Sequence, residues 1–160
     1  MIQEKERLCR NIEKREEIYS RISQKIWEYA ELGFKEHRSA KLLQETLERE
    51  GFQVETGLAG IPTAFKGTFG SGGPVIAILG EFDALPGLSQ KPGTDVQEKR
   101  EDTDCGHGCG HNLLGTGSLA AAVAVREYLD RSGTPGTIIY FGCPGAVSYT
   151  HLTLPTKRIV

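Results

Sequence analysis

The sequence predicts an α/β protein, on two observations. Segments with the helical period alternate along the chain with short apolar runs of strand length, and the last elements follow in the order strand, loop, helix, strand, the arrangement of a sheet covered by helices. Near the amino terminus, Leu8, Ile12, Tyr19, Ile22, Ile26 and Tyr29 recur at separations of three, four and seven, which puts them on one face of a helix that Gly33 can end. That stripe reads as core. A second helix is expected over residues 36–50, with Ala40, Leu43 and Leu47 inward and Gly51 just past its end. Phe52 and Val54 then alternate with Gln53 and Glu55. After a turn over residues 57–62, Phe65, Gly67 and Phe69 alternate with Ala64, Lys66 and Thr68. Both segments read as half-exposed or edge strands. Val75-Ile76-Ala77-Ile78-Leu79 is an unbroken apolar run, the pattern of a strand buried on both faces, and is expected at the centre of the sheet. Residues 84–110 lose all periodicity and form a long loop, a kind of segment that is often functional. An alanine-rich helix is expected over residues 112–131, closed by Gly133 and Pro135, and Thr137-Ile138-Ile139-Tyr140-Phe141 reads as another buried strand.

Composition narrows the function. With 160 residues, 38% of them hydrophobic, the chain can build one core. Nineteen basic residues against 21 acidic ones give a net charge of −2, without the one-sided positive field that nucleic acid or an anionic membrane calls for, so the expected partner is a small molecule. The charged start carries no apolar run that resembles a signal peptide or a spanning helix, and a cytoplasmic location is the expectation. Cys9, Cys105, Cys109 and Cys143 are too few and too unevenly spread for a disulfide framework; they are expected to stay thiols or bind metal.

Two clusters carry chemistry. Gly80-Glu81-Phe82-Asp83 places two carboxylates at the carboxyl end of an apolar strand, where open α/β sheets form their ligand sites, and the spacing of two points both side chains the same way. The alternative is a pair of solvated carboxylates. Cys105-Gly106-His107-Gly108-Cys109-Gly110-His111 packs half of the cysteines and half of the histidines into seven residues. Thiolate and imidazole both suit zinc, but a structural four-ligand site normally draws on two separated knuckles. A site that shares one or two of these ligands with groups elsewhere fits the spacing better, the alternative being a flexible glycine loop with incidental thiols. Gly115-Thr116-Gly117-Ser118-Leu119-Ala120 matches the outline of a dinucleotide-binding turn, but it follows the metal-like loop rather than a strand and reads as small residues that allow close helix packing.

The ordered set Ile26-Trp27-Glu28, Glu31-Leu32-Gly33-Phe34, Gly60-Ile61-Pro62-Thr63-Ala64, the segments 80–87 and 106–115, and Phe141-Gly142-Cys143-Pro144 resembles the aminoacylase/carboxypeptidase-like metallopeptidases. Within them it resembles the branch of the p-aminobenzoyl-glutamate hydrolase subunits and related dipeptidases, over residues 1–145. The resemblance implies a partial zinc-peptidase catalytic domain, a mixed sheet flanked by helices, whose parent carries an inserted smaller domain and forms a homodimer. It implies amide hydrolysis of N-acyl amino acids or dipeptides with two divalent metal ions, zinc or manganese. By position, Cys109 is the shared or bridging ligand, His111 a second ligand, and Asp83 the carboxylate that orients the metal shell. Glu81 stands where other branches have a ligand histidine, and Glu81 and His107 are further candidates. The family's general base is the first of two adjacent glutamates shortly after the strand 138–142. Here no acidic residue follows Gly145. Residues 146–160 resemble translated adapter sequence, so a non-native tail and an inactive chain are expected, with little weight on His151 as a ligand. A non-catalytic zinc-binding module built on Cys105, His107, Cys109 and His111 is the alternative, and a nucleotide-binding protein using Gly115 and Gly117 a weaker one.

Overall fold

The computed structural model describes residues 2–146; the remainder of the expected tail, with His151, lies outside the described residues. Two helices, α1 (Ile2–Glu13) and α2 (Glu16–Tyr29), stand where the periodicity predicts one. The apolar stripe runs through both, but the chain turns at Lys14 and Arg15. The Arg15 guanidinium there reaches Glu50 at 2.6 Å and Glu127 at 2.8 Å, partners far away in sequence that periodicity cannot reveal. The end of α2 is also not at Gly33: Ala30 takes the left-handed conformation and donates its N–H to the Ile26 carbonyl. Helix α3 (His37–Arg49) matches expectation. The Glu31 carboxylate caps it from the preceding loop, accepting the N–H groups of Arg38 and Ser39 at 3.1 and 2.9 Å and the Ser39 hydroxyl at 2.8 Å, which satisfies donors that a helix start leaves open.

Three strands follow, β1 (Gln53–Thr56), β2 (Phe65–Ser71) and β3 (Val75–Glu81). The expected long loop comes next, tied off at its ends by two short paired strands, β4 (Leu85–Pro86) and β5 (Cys105–Gly106). Helix α4 (His111–Ser132) then leads into β6 (Gly136–Cys143), which completes a mixed sheet of order β1-β2-β6-β3. In that sheet the β3–β6 pair is parallel and the other two pairs are antiparallel.

Register decides which face the helices cover. Phe65 lies opposite Gly142, Gly67 opposite Tyr140 and Ile78 opposite Tyr140, so these residues share a face. Leu47 of α3 packs over Gly67, and the Tyr140 hydroxyl donates to the Gly115 carbonyl of α4 at 3.2 Å, so both helices sit on that face. The core gathers there: Ile22, Ile26, Leu43, Leu47, Phe65, Phe82, Leu119, Val123, Ile138 and Tyr140.

Two strand expectations are corrected. The run 75–79 is not the centre of the sheet: β3 pairs with β6 alone among the described residues, and Val75, Ile76 and Leu79 are 62%, 49% and 61% exposed. The centre is β6, flanked on both edges, and β2 is interior rather than an edge. An unbroken apolar run signals burial on both faces, whereas the described residues supply β3 with one neighbouring strand and one helix layer. No helix among the described residues is long and apolar enough to cross a membrane.

Candidate metal centre

The carboxyl end of β3 and the first residue of α4 meet at one place. Glu81 closes β3, Asp83 follows two residues later with its side chain fully buried, and His111 opens α4. Gly110 makes that start possible, with φ +77° at the residue before the helix, a conformation that favours glycine. Asn112 anchors the same turn by donating to the Ser23 hydroxyl of α2 at 3.0 Å. Two carboxylates thus sit at the start of a 22-residue helix, the end whose dipole attracts negative charge.

His111 bridges the two acids. Its Nδ1 lies 2.8 Å from Asp83 Oδ1 and its Nε2 lies 3.3 Å from Glu81 Oε2. Ionised carboxylates only accept, so Nδ1 carries the proton that is donated to Asp83. With the proton on Nδ1, the Nε2 lone pair faces the Glu81 carboxylate across 3.3 Å, an arrangement that suits a cation between them. A carboxylate behind one ring nitrogen, with the other nitrogen aimed at the ion, is how metal-binding histidines are usually oriented. The residues present therefore fit a divalent cation held by His111 and Glu81, with Asp83 fixing the imidazole.

Cys109 lies two residues before His111 on the turn closed by the bond from the Gly110 N–H to the His107 carbonyl, and its thiol is exposed. Among the described residues no group of three or more histidine, cysteine or acidic side chains is placed to ligate one metal ion, so Cys109 and Cys105 do not join Glu81 and His111 in one ligand set. His107 is placed separately. Its Nε2 donates to the Ile26 carbonyl at 3.0 Å, and Nδ1 is buried without a hydrogen-bond partner among the described residues. Burial pushes the His107 pKa down and the neighbouring His111 adds to that, against the Ile26 carbonyl and Asp83, which favours a neutral ring. A cavity of about 220 Å³ opens beside it, lined by Trp27, Leu88, Gln90, Arg100 and Cys105.

Cys143 also belongs to this place, although its motif in the sequence assigns it no role. In the β3–β6 register it stands opposite Glu81, and burial, with the Glu81 charge next, pushes its thiol pKa up. The available signal is its position at the end of an apolar strand parallel to the one that carries Glu81.

No family model matches the chain. It is 47% identical over 134 residues to a p-aminobenzoyl-glutamate hydrolase subunit of Escherichia coli strain K12, an alignment that covers 84% of this chain and 28% of that protein. It is 36% identical over 109 residues to thermostable carboxypeptidase 1 of Saccharolobus solfataricus, 67% of this chain and 27% of that one. Its fold matches the crystal structure of a dinuclear metal-binding peptidase of the M20 family from Bacillus subtilis with a TM-score of 0.65 at 23% identity, over 81% of this chain and 36% of that structure. The chain spans between a quarter and a third of the length of these curated relatives. By sequence and by fold, it belongs to the aminoacylase/carboxypeptidase-like metallopeptidases, as a fragment of their length.

Proposed function

We propose that the chain is the amino-terminal part of a two-metal amidohydrolase that cleaves the amide bond of N-acyl amino acids or dipeptides, p-aminobenzoyl-glutamate-like substrates among them. The observation that carries this reading is the Glu81–His111–Asp83 arrangement, in which a buried carboxylate sets an imidazole so that its other nitrogen faces a second carboxylate across 3.3 Å. The hydrolase activity for which the Escherichia coli relative is named and the dinuclear site of the Bacillus subtilis neighbour support the same class.

In this reading Asp83 holds the imidazole of His111 in the tautomer that leaves Nε2 free to bind. Glu81 contributes negative charge on the opposite side. Cys109, on the adjacent turn with its thiol exposed, would have to move toward Glu81 and His111 to contribute a soft thiolate ligand. A bound divalent pair, zinc or manganese, supplies Lewis acidity for the scissile carbonyl and lowers the pKa of the attacking water. Phe82, between Glu81 and Asp83 in the chain, and Tyr140 are fully buried in the core. The remaining part, a base for the water's proton, is not offered by any acidic residue after Gly145 in this sequence. The full-length parent is a homodimer in this reading, residues 146–160 are not native to it, and the isolated chain is inactive.

The test uses the full-length protein and the isolated chain on p-aminobenzoyl-glutamate and a small panel of N-acyl amino acids. Hydrolysis by the full-length protein that disappears with a chelator and returns with zinc or manganese is expected. A full-length protein that hydrolyses none of them with any divalent metal overturns the reading, and metal-dependent hydrolysis by the isolated chain overturns its predicted inactivity. One observation favours a second reading. Among the described residues the buried Nδ1 of His107 has no hydrogen-bond partner, which leaves it as a ligand atom for a zinc-binding module built on Cys105, His107, Cys109 and His111, although the four are not gathered into one ligand set.

A further inference from the structure

Glu36 is a carboxyl with no exposed surface, and nothing in the proposed hydrolysis uses it. It precedes α3, and its Oε1 accepts the N–H of Gly145 at 2.9 Å, across 109 residues of sequence. Gly145 belongs to the turn that leaves β6, and Pro144, Gly145 and Ala146 are all buried. The segment ahead of α3 is moulded to this turn. A side chain at Gly33 would stand 2.9 Å from the Gly145 Cα, and one at Gly145 would meet the Phe34 ring at 2.6 Å. Gly145 itself has φ +67°, so the turn is specific to glycine on two counts. Glu36 Oε2 and the hydroxyl of Thr63, which is 1% exposed, are buried without hydrogen-bond partners among the described residues. Burial raises the Glu36 pKa, and hydrogen bonds from the backbone of Glu36 itself, of Gly145 and of Phe34 oppose the rise.

Keeping such a group inside costs stability, so its position calls for a return. The turn it holds borders the candidate metal centre. The position that a Gly33 side chain would occupy next to Gly145 is also 3.6 Å from Asp83 Oδ2, and Cys143, at the start of the turn, stands opposite Glu81. Leu32 bridges to Ala84 and the Ala84 N–H donates to the Glu31 carbonyl at 2.8 Å, so the segment 31–36 touches both strand ends at once.

We propose that Glu36 is a positioning residue: by accepting the Gly145 N–H inside the protein, it locks the turn after β6 against the strand end that carries Glu81 and Asp83. This rests on the hydrolase reading for its functional consequence. Loosening the lock lets the turn, and with it the surroundings of Asp83, shift by fractions of an ångström, which slows chemistry more than it weakens substrate binding.

The experiment compares Glu36→Leu, Glu36→Gln and Glu36→Asp in the metal-loaded full-length protein, with kcat and KM on p-aminobenzoyl-glutamate and hydrogen exchange of the peptide 140–145. The Leu variant, which fills the space without an acceptor, is expected to lower kcat at least ~10-fold with KM within about threefold, and to speed exchange of that peptide. The Gln variant keeps an acceptor oxygen and is expected to restore kcat to within about threefold of wild type. A folded Leu variant with wild-type kcat and wild-type exchange overturns the proposal. Should that variant fail to fold, the Asp variant decides, since it keeps the charge but withdraws the oxygen: a fall in kcat at constant KM supports the lock and an unchanged kcat overturns it. If the wild-type protein hydrolyses no amide, the hydrolase reading falls on its own, and exchange of the 140–145 peptide still decides whether Glu36 locks the turn.

Discussion

His111 shows how one side chain can be legible in sequence while its partners are only half so. Its place in a dense cysteine and histidine cluster marks it as a ligand type, and the Glu81-x-Asp83 spacing marks two carboxylates on one side of a strand end. That the ring bridges both is a matter of how α4 docks on β3, which no local pattern encodes. Gly115 is similar. The sequence marks Gly115 and Gly117 alike as small residues for close packing, but a side chain at Gly115 would stand 2.7 Å from the Glu81 carbonyl, whereas one at Gly117 meets open space. Gly115→Ala is therefore expected to destabilise by about 1–3 kcal/mol, while Gly117→Ala costs nothing measurable or stabilises slightly, as chemical denaturation of the two variants will show. Glu31 is one residue of a family motif in the sequence, and its capping role is visible only in three dimensions. Its burial alone would raise its pKa, but the hydrogen bonds from Ser39 and Arg38 outweigh that and lower it below 4.5. A carboxylate with a depressed folded pKa contributes stability that is fully present above the unfolded value and is lost as pH falls through the folded one. The melting-temperature gap between wild type and Glu31→Gln is thus expected to be largest near neutral pH and to close below about pH 4.5. A gap that stays constant down to about pH 3 would contradict the capping role.

At the scale of elements, α3, α4 and β6 are legible because each is long, strongly periodic or bounded by glycine and proline. The break in the amino-terminal helix is not, because what makes it is the Arg15 guanidinium clamped between Glu50 and Glu127, a contact among separate helices. Strand β3 misleads for a different reason. Its composition suits a strand covered on both faces and paired on both edges, and the described residues provide one of each. An apolar strand left open in this way is a pairing template for other chains. Leu79→Lys, at a position already 61% exposed on the open face, is expected to raise the soluble fraction of the isolated chain with a stability change within about 0.5 kcal/mol. By contrast Ile138→Ala, in the fully buried centre of β6, is expected to cost about 2–5 kcal/mol in an unfolding titration.

Across the whole molecule, the segments that sequence patterns describe worst are the ones that build the site. The loop 84–110 has no periodicity, yet its ends are pinned by β4 and β5, and the turn that follows delivers His111 beside the strand end that carries Glu81 and Asp83. The segment 30–36 carries two non-glycine residues with positive φ, Ala30 and Phe34, and touches both Ala84 and Gly145. Both are specified by what they pack against, and so emerge only when the sheet is assembled. In the proposed centre a divalent ion is held jointly by Glu81 at the β3 end and His111 of α4, with Asp83 orienting the imidazole, rather than by the cysteine and histidine cluster alone. Zinc titration of the 160-residue chain and its Glu81→Gln/Asp83→Asn double variant tests this most directly. The double variant is expected to bind zinc at least ~10-fold more weakly, since it removes one facing carboxylate and the group that orients His111. An unchanged affinity would contradict joint binding and assign the ion to Cys105, His107, Cys109 and His111.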